Sequence, residues 1–291
     1  MALSLGSSVA SKVYLGATEV ALAYLGATQV YSAGGGLDPD VQAFKTESGA
    51  TDLTGLNNLV VYLKGEGLYS NFVIYPMKSA QNAGSGATVY SLGGVTTNDM
   101  TLVNSPTWAA GGITLNGTTQ YGHIADFLGS ETLTSFSRVN KTSNTTAVTT
   151  IWGQYDTGAN ARSVLLAQDG TFTGDPIELF RSSNGTTGPA LEGYTNSTTG
   201  LGSDNTFVAQ WIDGGGRSLW VNKSAESLTL NPATFTQTAK FNASVNITFG
   251  AFLSSGSPTG YSAQTGIAQA FCNTTLTTTQ REIITDYINA L

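Results

Sequence analysis

Short apolar stretches that alternate with polar residues recur through most of the chain. Between residues 111 and 124, Ile113 and Leu115 alternate with Thr114 and Asn116, and an extended run resumes at Tyr121. Alternation with period two places the apolar side chains on one face of a strand. The Asn-Gly dipeptide between the two runs supplies the positive φ angles of a tight hairpin turn. The pattern therefore predicts a β-hairpin at this point.

The same alternation predicts many further strands. They span about 147–154, 163–167, 177–181, 207–213, 218–222, 246–252 and 266–271. The two strands around residue 214 each contain a Trp and are joined through three glycines, which predicts a second hairpin. The Ser- and Gly-rich residues 253–265 predict a loop. Short strands at this spacing are typical of two-sheet proteins, so we predict a mainly β sandwich from about Tyr75 to Phe271.

Helical periodicity is confined to both ends of this sandwich. Asp38 as N-cap and Pro39 at the first helical position predict a helix that ends at Gly49. A second helix begins near residue 51 and ends before Gly65 and Gly67. Its apolar face consists of Leu53, Leu56, Leu59, Val60 and Leu63. A C-terminal helix follows a cap at 277–279, and its apolar stripe consists of Ile283, Ile284, Tyr287, Ile288 and Leu291.

The N-terminal residues contain an internal repeat. VYLGATEVALA is followed by AYLGATQVYSA, with a period of ten residues. The repeat predicts a three-stranded meander at about 12–15, 18–25 and 28–31. Its regularly spaced apolar residues are Val13, Leu15, Val20, Leu22, Leu25 and Val30. So small a meander does not bury a core alone, and we expect these residues to mediate attachment or oligomerisation.

The resulting domain prediction has three parts. Residues 1–36 form the attachment segment and end in a glycine linker. Residues 37–74 form the helical pair. Residues 75–291 form the sandwich with its C-terminal helix.

Composition narrows the function classes. Only 11% of residues are charged, the net charge is −7, and no cluster of Lys and Arg occurs, which argues against a nucleic-acid partner. No run of about 18 apolar residues suggests a membrane-spanning helix. The single Cys272 excludes an internal disulfide framework and a cysteine zinc site. The N-terminus lacks the basic and apolar regions of a secretory signal, so we expect synthesis in a cytoplasm.

The sequence does not predict an enzyme. A glycosidase needs two carboxylates facing each other across a cleft, but Glu178 and Glu192 are isolated, and Asp204 and Asp213 adjoin turns. No nucleophile-elbow motif accompanies the single His123, which we expect on a strand face. Cys272 ends an apolar strand and is expected to be a small buried residue rather than a nucleophile.

No cofactor or metal is predicted, although calcium is an alternative. Calcium needs several oxygen ligands, and its acids would have to come from separate loops. These acids are Asp126, Asp156, Asp169, Asp175 and Asp204. A sugar site needs an aromatic platform. We expect Trp152, Trp211 and Trp220 to lie in the core, and the ligand-binding candidates are the loop residues Tyr155, Tyr194 and Tyr261.

Several stretches resemble bacteriophage structural proteins. One is DPDVQAFKTESGATDLTGLNNLVVYLKGEGLYSNFVIYP. In those proteins two short helices end in Leu-Lys-x-x-Gly-Leu and lead through an Ile-Tyr-Pro strand into a laminin-G-like sandwich. The matching positions are Lys64, Gly67, Leu68, Ile74, Tyr75 and Pro76. GITLNGTTQYGHI resembles the early hairpin of concanavalin-A-like, laminin-G-like jelly rolls, which often also carry a terminal helix.

The repeated Tyr-Leu-Gly-Ala-Thr resembles the N-terminal segments of phage tail and head appendage proteins. One departure is that the family usually has a Trp in the strand equivalent to 133–139, where this chain has Phe136. The resemblance implies a laminin-G-like or concanavalin-A-like β-sandwich preceded by the repeat and the helical pair. It also implies a location on the virion after synthesis in the bacterial host cytoplasm.

The function that this resemblance implies is structural. We expect a non-enzymatic tail-fibre, spike or capsid-decoration protein that is anchored by its N-terminus, contacts other virion proteins and forms a homotrimer. Its sandwich would serve adhesion, host-surface glycan contact or particle stabilisation. One alternative is a polysaccharide-degrading glycoside hydrolase with a concanavalin-like fold. Another is a free lectin-like module, against which the N-terminal repeat and the helical pair argue.

Overall fold

The structure is a computed structural model. It describes residues 14–15, 18–19, 22–25, 28–32, 36–95, 98–125, 132–141, 148–155, 163–169, 177–182, 191–195, 202–212, 217–227, 229–231, 246–254 and 257–291. Side chains are described at 36–95, 98–125, 132–141, 149–154, 166, 202–212, 218–227, 246–252 and 257–291. The chain divides into two compact units, Met1–Pro39 and Asp40–Leu291.

The described residues of the N-terminal unit form two antiparallel strand pairs. Their strands are β1 (Tyr14–Leu15), β2 (Thr18–Glu19), β3 (Leu22–Leu25) and β4 (Thr28–Ser32). Each repeat pairs with itself, because Leu15 lies opposite Thr18 and Leu25 lies opposite Thr28. The predicted middle strand over 18–25 contains β2 and β3, and residues 20 and 21 between them lie outside the described residues, so the three-stranded meander stays a prediction. Leu15, Leu22, Leu25 and Val30 lie in these strands, and Val13 and Val20 lie outside the described residues.

The helices follow the sequence prediction closely. They are α1 (Pro39–Ser48), α2 (Thr54–Gly65) and α3 (Thr278–Ala290). At the start of α3 the Thr277 side chain accepts the backbone N–H of Gln280, and the Gln280 side chain accepts the N–H of Thr277. This capping box satisfies two donors that a helix N-terminus leaves unpaired. None of the described helices is long and apolar enough to cross a membrane.

The larger unit is a two-sheet antiparallel sandwich. Its strands are β5 (Phe72–Pro76), β6 (Thr88–Val89), β7 (Leu92–Gly93), β8 (Met100–Val103), β9 (Thr107–Ala109), β10 (Gly112–Asn116), β11 (Tyr121–Ile124), β12 (Leu133–Lys141), β13 (Val148–Tyr155), β14 (Ser163–Asp169), β15 (Ile177–Ser182), β16 (Leu191–Thr195), β17 (Asp204–Trp211), β18 (Arg217–Val221), β19 (Ser224–Ala225), β20 (Thr229–Asn231), β21 (Ile247–Phe249), β22 (Phe252–Ser254), β23 (Ser257–Thr259) and β24 (Ala263–Cys272). The first sheet has the order β19-β18-β17-β12-β24-β10-β9, with β5 joining β24 to β7. The second has the order β20-β16-β15-β14-β13-β21-β11-β8-β6.

Aromatic residues form the centre of the core between the sheets. The Trp152 ring packs edge-on against Phe271 at 5.0 Å and against Trp211 at 5.6 Å between centroids. Both tryptophans are buried, as predicted. Trp220 instead is half-buried, and the Arg281 guanidinium carbon lies 3.7 Å from its ring centroid.

A helical layer packs on the outside of the first sheet. Helix α3 contacts β12, β17 and α2. Its Ile284 and Ile288 side chains are fully buried. The Arg138 guanidinium on β12 donates to the backbone carbonyl of Asn289 at 2.7 Å. The predicted C-terminal helix thus covers one outer face of the sandwich.

The predicted hairpin at 113–124 is wrong, although both of its strands exist. Strand β10 pairs with β9 and β24 in the first sheet, whereas β11 pairs with β8 and β21 in the second. The Asn116 side-chain oxygen accepts the backbone N–H groups of Thr118, Thr119 and Gln120 at 3.0–3.1 Å, and Gly117 adopts φ 72°. Asn116 and Gly117 therefore do form a tight turn, and this turn carries the chain from the first sheet to the second.

A second departure lies at residues 246–265. The predicted single strand over 246–252 ends as β21 at Phe249, because Gly250 turns at φ 77°. The predicted loop contains the hairpin of β22 and β23, and β24 already begins at Ala263. A Cβ atom at Gly250 would lie 2.0 Å from Leu115 Cδ1, so the turn requires glycine for space as well as for φ.

Candidate functional site

The outer face of the second sheet carries polar and aromatic side chains on β6, β8 and β11. The alternate residues of these strands point inward and belong to the inter-sheet core: Val89, Met100, Leu102 and Ile124. Successive side chains of a strand point to opposite faces. The outward residues are therefore Thr88, Thr101, Val103, Tyr121 and His123, of which Thr101 is exposed and the others are half-buried.

Three of the rings on this face form an aromatic patch, defined here as Tyr121, His123 and Tyr261. The Tyr121 and Tyr261 ring centroids are 6.2 Å apart with an interplanar angle of 61°. The Tyr121 and His123 rings are 6.4 Å apart and tilted by 41°. Desolvation, and secondly the nearby Tyr121, raise the pKa of Tyr261. The Tyr261 hydroxyl therefore remains protonated at neutral pH and can donate a hydrogen bond.

A row of side chains crosses the strands beside this patch. Thr88 on β6 lies opposite Thr101 on β8, Thr101 lies opposite His123, and His123 lies opposite Thr248 on β21. The side chains of Thr88, Thr101 and His123 make no hydrogen bond with another described group. Thr248 differs, because its hydroxyl contacts the carbonyl oxygens of Gly153 and Ala251 at 3.0 and 2.6 Å. The first three side chains can therefore offer their polar atoms to a ligand.

This part of the face carries little charge. Of the described residues that point outward on β6, β8, β11 and β21, none is Asp, Glu, Lys or Arg. Asp99 lies just before β8, and its Oδ1 atom accepts hydrogen bonds from the backbone and the hydroxyl of Ser91 at 2.8 and 3.1 Å. The arrangement suits a neutral polar ligand with an apolar side, because a tyrosine ring offers an apolar body with a polar tip.

The structure places the predicted ligand residues differently. Tyr261 belongs to the aromatic patch. Tyr155 and Tyr194 lie in strands rather than loops, opposite Ser163 and Leu179 respectively. Their side chains lie outside the described part of the chain. The sequence analysis does not single out Tyr121 and expects His123 only on a strand face, although their spacing of two residues indicates a shared face.

The acidic residues of the sequence are dispersed. Both carboxylate oxygens of Asp204 are engaged, one by Arg138 at 3.2 Å and the other by Asn140 at 3.1 Å. Glu178 and Glu192 lie in strands of the second sheet, whereas Asp204 lies in the first. Asp126, Asp156, Asp175 and Asp213 lie outside the described residues, and Asp169 ends β14. Within the described ranges no group of three His, Cys, Asp or Glu residues could hold a metal ion.

Cys272 is a buried residue rather than a reactive thiol. Its side chain is fully buried at the end of β24, and burial raises its pKa to about 12. The thiolate is the nucleophilic form of cysteine. The prediction of a small apolar role is therefore confirmed.

No protein-family model matches the chain, and no curated protein matches it either. Solved structures match by fold. Trypanosoma rangeli sialidase in complex with sialic acid is 14% identical with a TM-score of 0.52, and the match covers 82% of this chain and 39% of that chain. The receptor-binding domain of botulinum neurotoxin mosaic serotype C/D is 9% identical with a TM-score of 0.54, over 75% of this chain and 51% of that domain.

A third match is domain 4 of AbnA, an extracellular arabinanase from Geobacillus stearothermophilus, in complex with arabinotriose. It is 16% identical with a TM-score of 0.46, over 75% of this chain and 87% of that domain. The chain spans only 32–39% of the sialidase chains. At these identities the similarity shows the fold alone, which is a concanavalin-A-like two-sheet β-sandwich.

Proposed function

We propose that this chain is a non-enzymatic bacteriophage virion protein, either a fibre or spike appendage or a capsid decoration protein. Its N-terminal unit attaches it to other virion proteins, and its sandwich contacts glycan on the host surface. The observation that carries the glycan contact is the aromatic patch on the outer face of the second sheet, beside polar side chains that bond to no other described group. The virion setting is supported by the sequence resemblance and by the repeated N-terminal hairpins.

The patch has the chemistry that sugar binding requires. The apolar side of a sugar ring can cover Tyr121 or Tyr261, because an aromatic side chain buries a large area at little cost in conformational entropy. Thr101 and His123 lie on the same face, and their side chains, which bond to no other described group, can bond to sugar hydroxyls. A glycan held only by such contacts would be bound without being cleaved.

Replacing Tyr121 or Tyr261 with alanine is expected to weaken glycan binding at least about tenfold, which corresponds to about 1.4 kcal/mol. Each change removes one tyrosine ring of the aromatic patch, on which the sugar would stack. The measurement is a glycan array with the full chain, followed by calorimetric titration of the bound glycans. The matched control is Tyr69→Ala, because Tyr69 lies after α2 and its ring contacts Lys64 at 4.9 Å instead of the patch. Equal affinities in all three variants would contradict the proposal.

We also propose that the protein hydrolyses no polysaccharide. Two carboxylates placed across a cleft are the usual requirement for glycoside cleavage, and Asp204 is held by Arg138 and Asn140. Incubation of the full chain with a polysaccharide panel should release no reducing sugar. Turnover that disappears when a single Asp or Glu is replaced by its amide would show that the protein is an enzyme.

A further inference from the structure

We infer that the outer face of the second sheet binds the end of an uncharged, extended glycan that runs across the strands along Thr88, Thr101 and His123. The inference rests on the proposed function and adds the ligand's charge, its direction and its length. The row formed by these three residues is called the polar track below.

The first argument is spacing. Residues of the polar track are direct partners on neighbouring antiparallel strands, and such strands lie about 4.8 Å apart. This distance between neighbouring strands is similar to the length of one pyranose unit in an extended glycan. Each track residue can therefore face one successive sugar, provided that the glycan runs perpendicular to the strands.

The second argument is that the polar track is open at one end and closed at the other. Thr88 lies on β6, which is the edge strand of the sheet. At the other end Thr248 is only 1% exposed, and its hydroxyl is already bonded to backbone carbonyls. Beyond it, the β22–β23 hairpin packs against β13. A glycan can therefore extend over the edge at Thr88 but must end near His123.

The third argument is the position of the aromatic pair. Tyr261 lies one residue after Gly260, whose carbonyl accepts the N–H of Thr150 on β13. The next residue, Ser262, donates its N–H to the carbonyl of Gly250 after β21. Tyr261 and its neighbour Tyr121 thus lie at the closed end of the polar track. The terminal sugar would stack there, and the following units would lie over Thr101 and Thr88.

The fourth argument is charge. A sulfated or carboxylated glycan would meet no cation among the described outward residues of β6, β8, β11 and β21. The net charge of −7 further disfavours an anionic ligand. The polar track supplies hydroxyl and imidazole groups, which match the hydroxyl groups of a neutral sugar chain.

A similar row on the first sheet shows why the second sheet is favoured. There Thr107 lies opposite Thr114, and Thr114 lies opposite Thr265. The Thr114 and Thr265 hydroxyls bond to each other at 3.1 Å. The row continues to Asn140, whose side chain is bonded to Asp204. The Thr114, Thr265 and Asn140 side chains therefore already have partners in the protein, whereas the side chains of the polar track bond to no other described group.

The test is a calorimetric length series with the full chain. The probes are malto-, cello-, manno- and N-acetylglucosamine oligosaccharides of one to six units, with oligogalacturonates as anionic counterparts. At least one neutral series should gain tenfold or more in affinity from one unit to three and change less than twofold from four units to six. Oligogalacturonates should bind at least tenfold more weakly.

Thr88→Val provides the positional test. It should weaken binding of the three-unit probe about fivefold and leave the two-unit probe unchanged, because Thr88 faces only the third sugar. The control is Thr107→Val, an exposed strand threonine on the other sheet, which should change neither. Affinity that is independent of length, or equal effects of both variants, would overturn this inference. If Tyr121→Ala still abolished binding in that case, the proposed function would stand. Failure of every probe to bind would overturn both.

Discussion

Replacing Ile284 and Ile288 together with alanine is expected to lower the free energy of unfolding by about 4–10 kcal/mol. Both side chains of α3 are 0% exposed. Each such substitution in a packed core costs about 2–5 kcal/mol through lost burial and the cavity left behind. Folded domains are stable by only about 5–15 kcal/mol in total. The doubly substituted chain should therefore be largely unfolded or aggregated at physiological temperature.

The loss should be large because α3 closes the sandwich on its outer side. The helix contacts β12, β17 and α2, and polar anchors fix its position over the sheet. Arg138 donates to the Asn289 carbonyl, and Arg281 stacks on Trp220. These contacts fix the position of the helix over the sheet, but they do not replace the stabilisation from burying Ile284 and Ile288. The double variant should consequently expose the surface around Phe136 and Phe72, whose rings pack at 6.1 Å on β12 and β5.

The measurement is urea denaturation followed by tryptophan fluorescence and far-ultraviolet circular dichroism. Thr279→Ala is the matched control, because Thr279 is exposed on the same helix. Its midpoint should move by less than the equivalent of about 0.5 kcal/mol. An Ile284→Ala, Ile288→Ala double variant with the midpoint of the unaltered chain would show that α3 does not cover the sheet.

Helix boundaries could be predicted because their signals are local. Pro39 begins α1, and Thr277 with Gln280 forms the capping box of α3. A cap works through atoms only two or three residues away, so the sequence around it contains the whole interaction. The apolar stripe of α3 was equally readable, since residues three or four apart share one face of a helix.

Strand pairing could not be predicted from the same kind of signal. Residues 111–124 have the composition of a hairpin, yet Ile113 pairs with Gly266 and His123 pairs with Thr248. Alternation identifies which face of a strand is buried, but both sheets bury their faces in one core and look alike in sequence. Only the partner strands, which lie far along the chain, decide which sheet a strand joins.

The candidate site likewise has features that are local in the sequence and features that depend on the fold. The shared face of Tyr121 and His123 follows from their spacing, but their proximity to Tyr261 depends on how β11, β21 and β24 are placed in the fold. Tyr155 and Tyr194 lie in strands β13 and β16, whereas the sequence analysis expects them in loops. A binding surface that gathers residues from distant strands becomes visible only with the three-dimensional structure.

Removing residues 1–36 is expected to abolish both self-association and attachment to virus particles. The described residues of the N-terminal unit form two antiparallel pairs of strands, each strand two to five residues long. An isolated two-stranded hairpin is at best marginally stable in water, and its edges have unpaired backbone groups. Packing against other copies or against a virion protein would satisfy these groups. We propose that the full chain is a homotrimer joined through this unit.

The shortened chain should otherwise remain folded. Asp40–Leu291 is a compact unit of its own, and residues 37–291 retain Asp38 and Pro39 at the start of α1. Sedimentation velocity should give a trimer for the full chain and a monomer for residues 37–291. In a pull-down with particles that lack the protein, only the full chain should bind.

Full-length Tyr121→Ala is the matched control for these two measurements. It should remain trimeric and attach to particles while its glycan affinity falls at least about tenfold, because the aromatic patch and the N-terminal unit serve different contacts. A monomeric full chain would contradict the trimer. Residues 37–291 that still bind particles would show that the anchor lies in the sandwich unit, and the attachment role of Leu15, Leu22, Leu25 and Val30 would then be wrong.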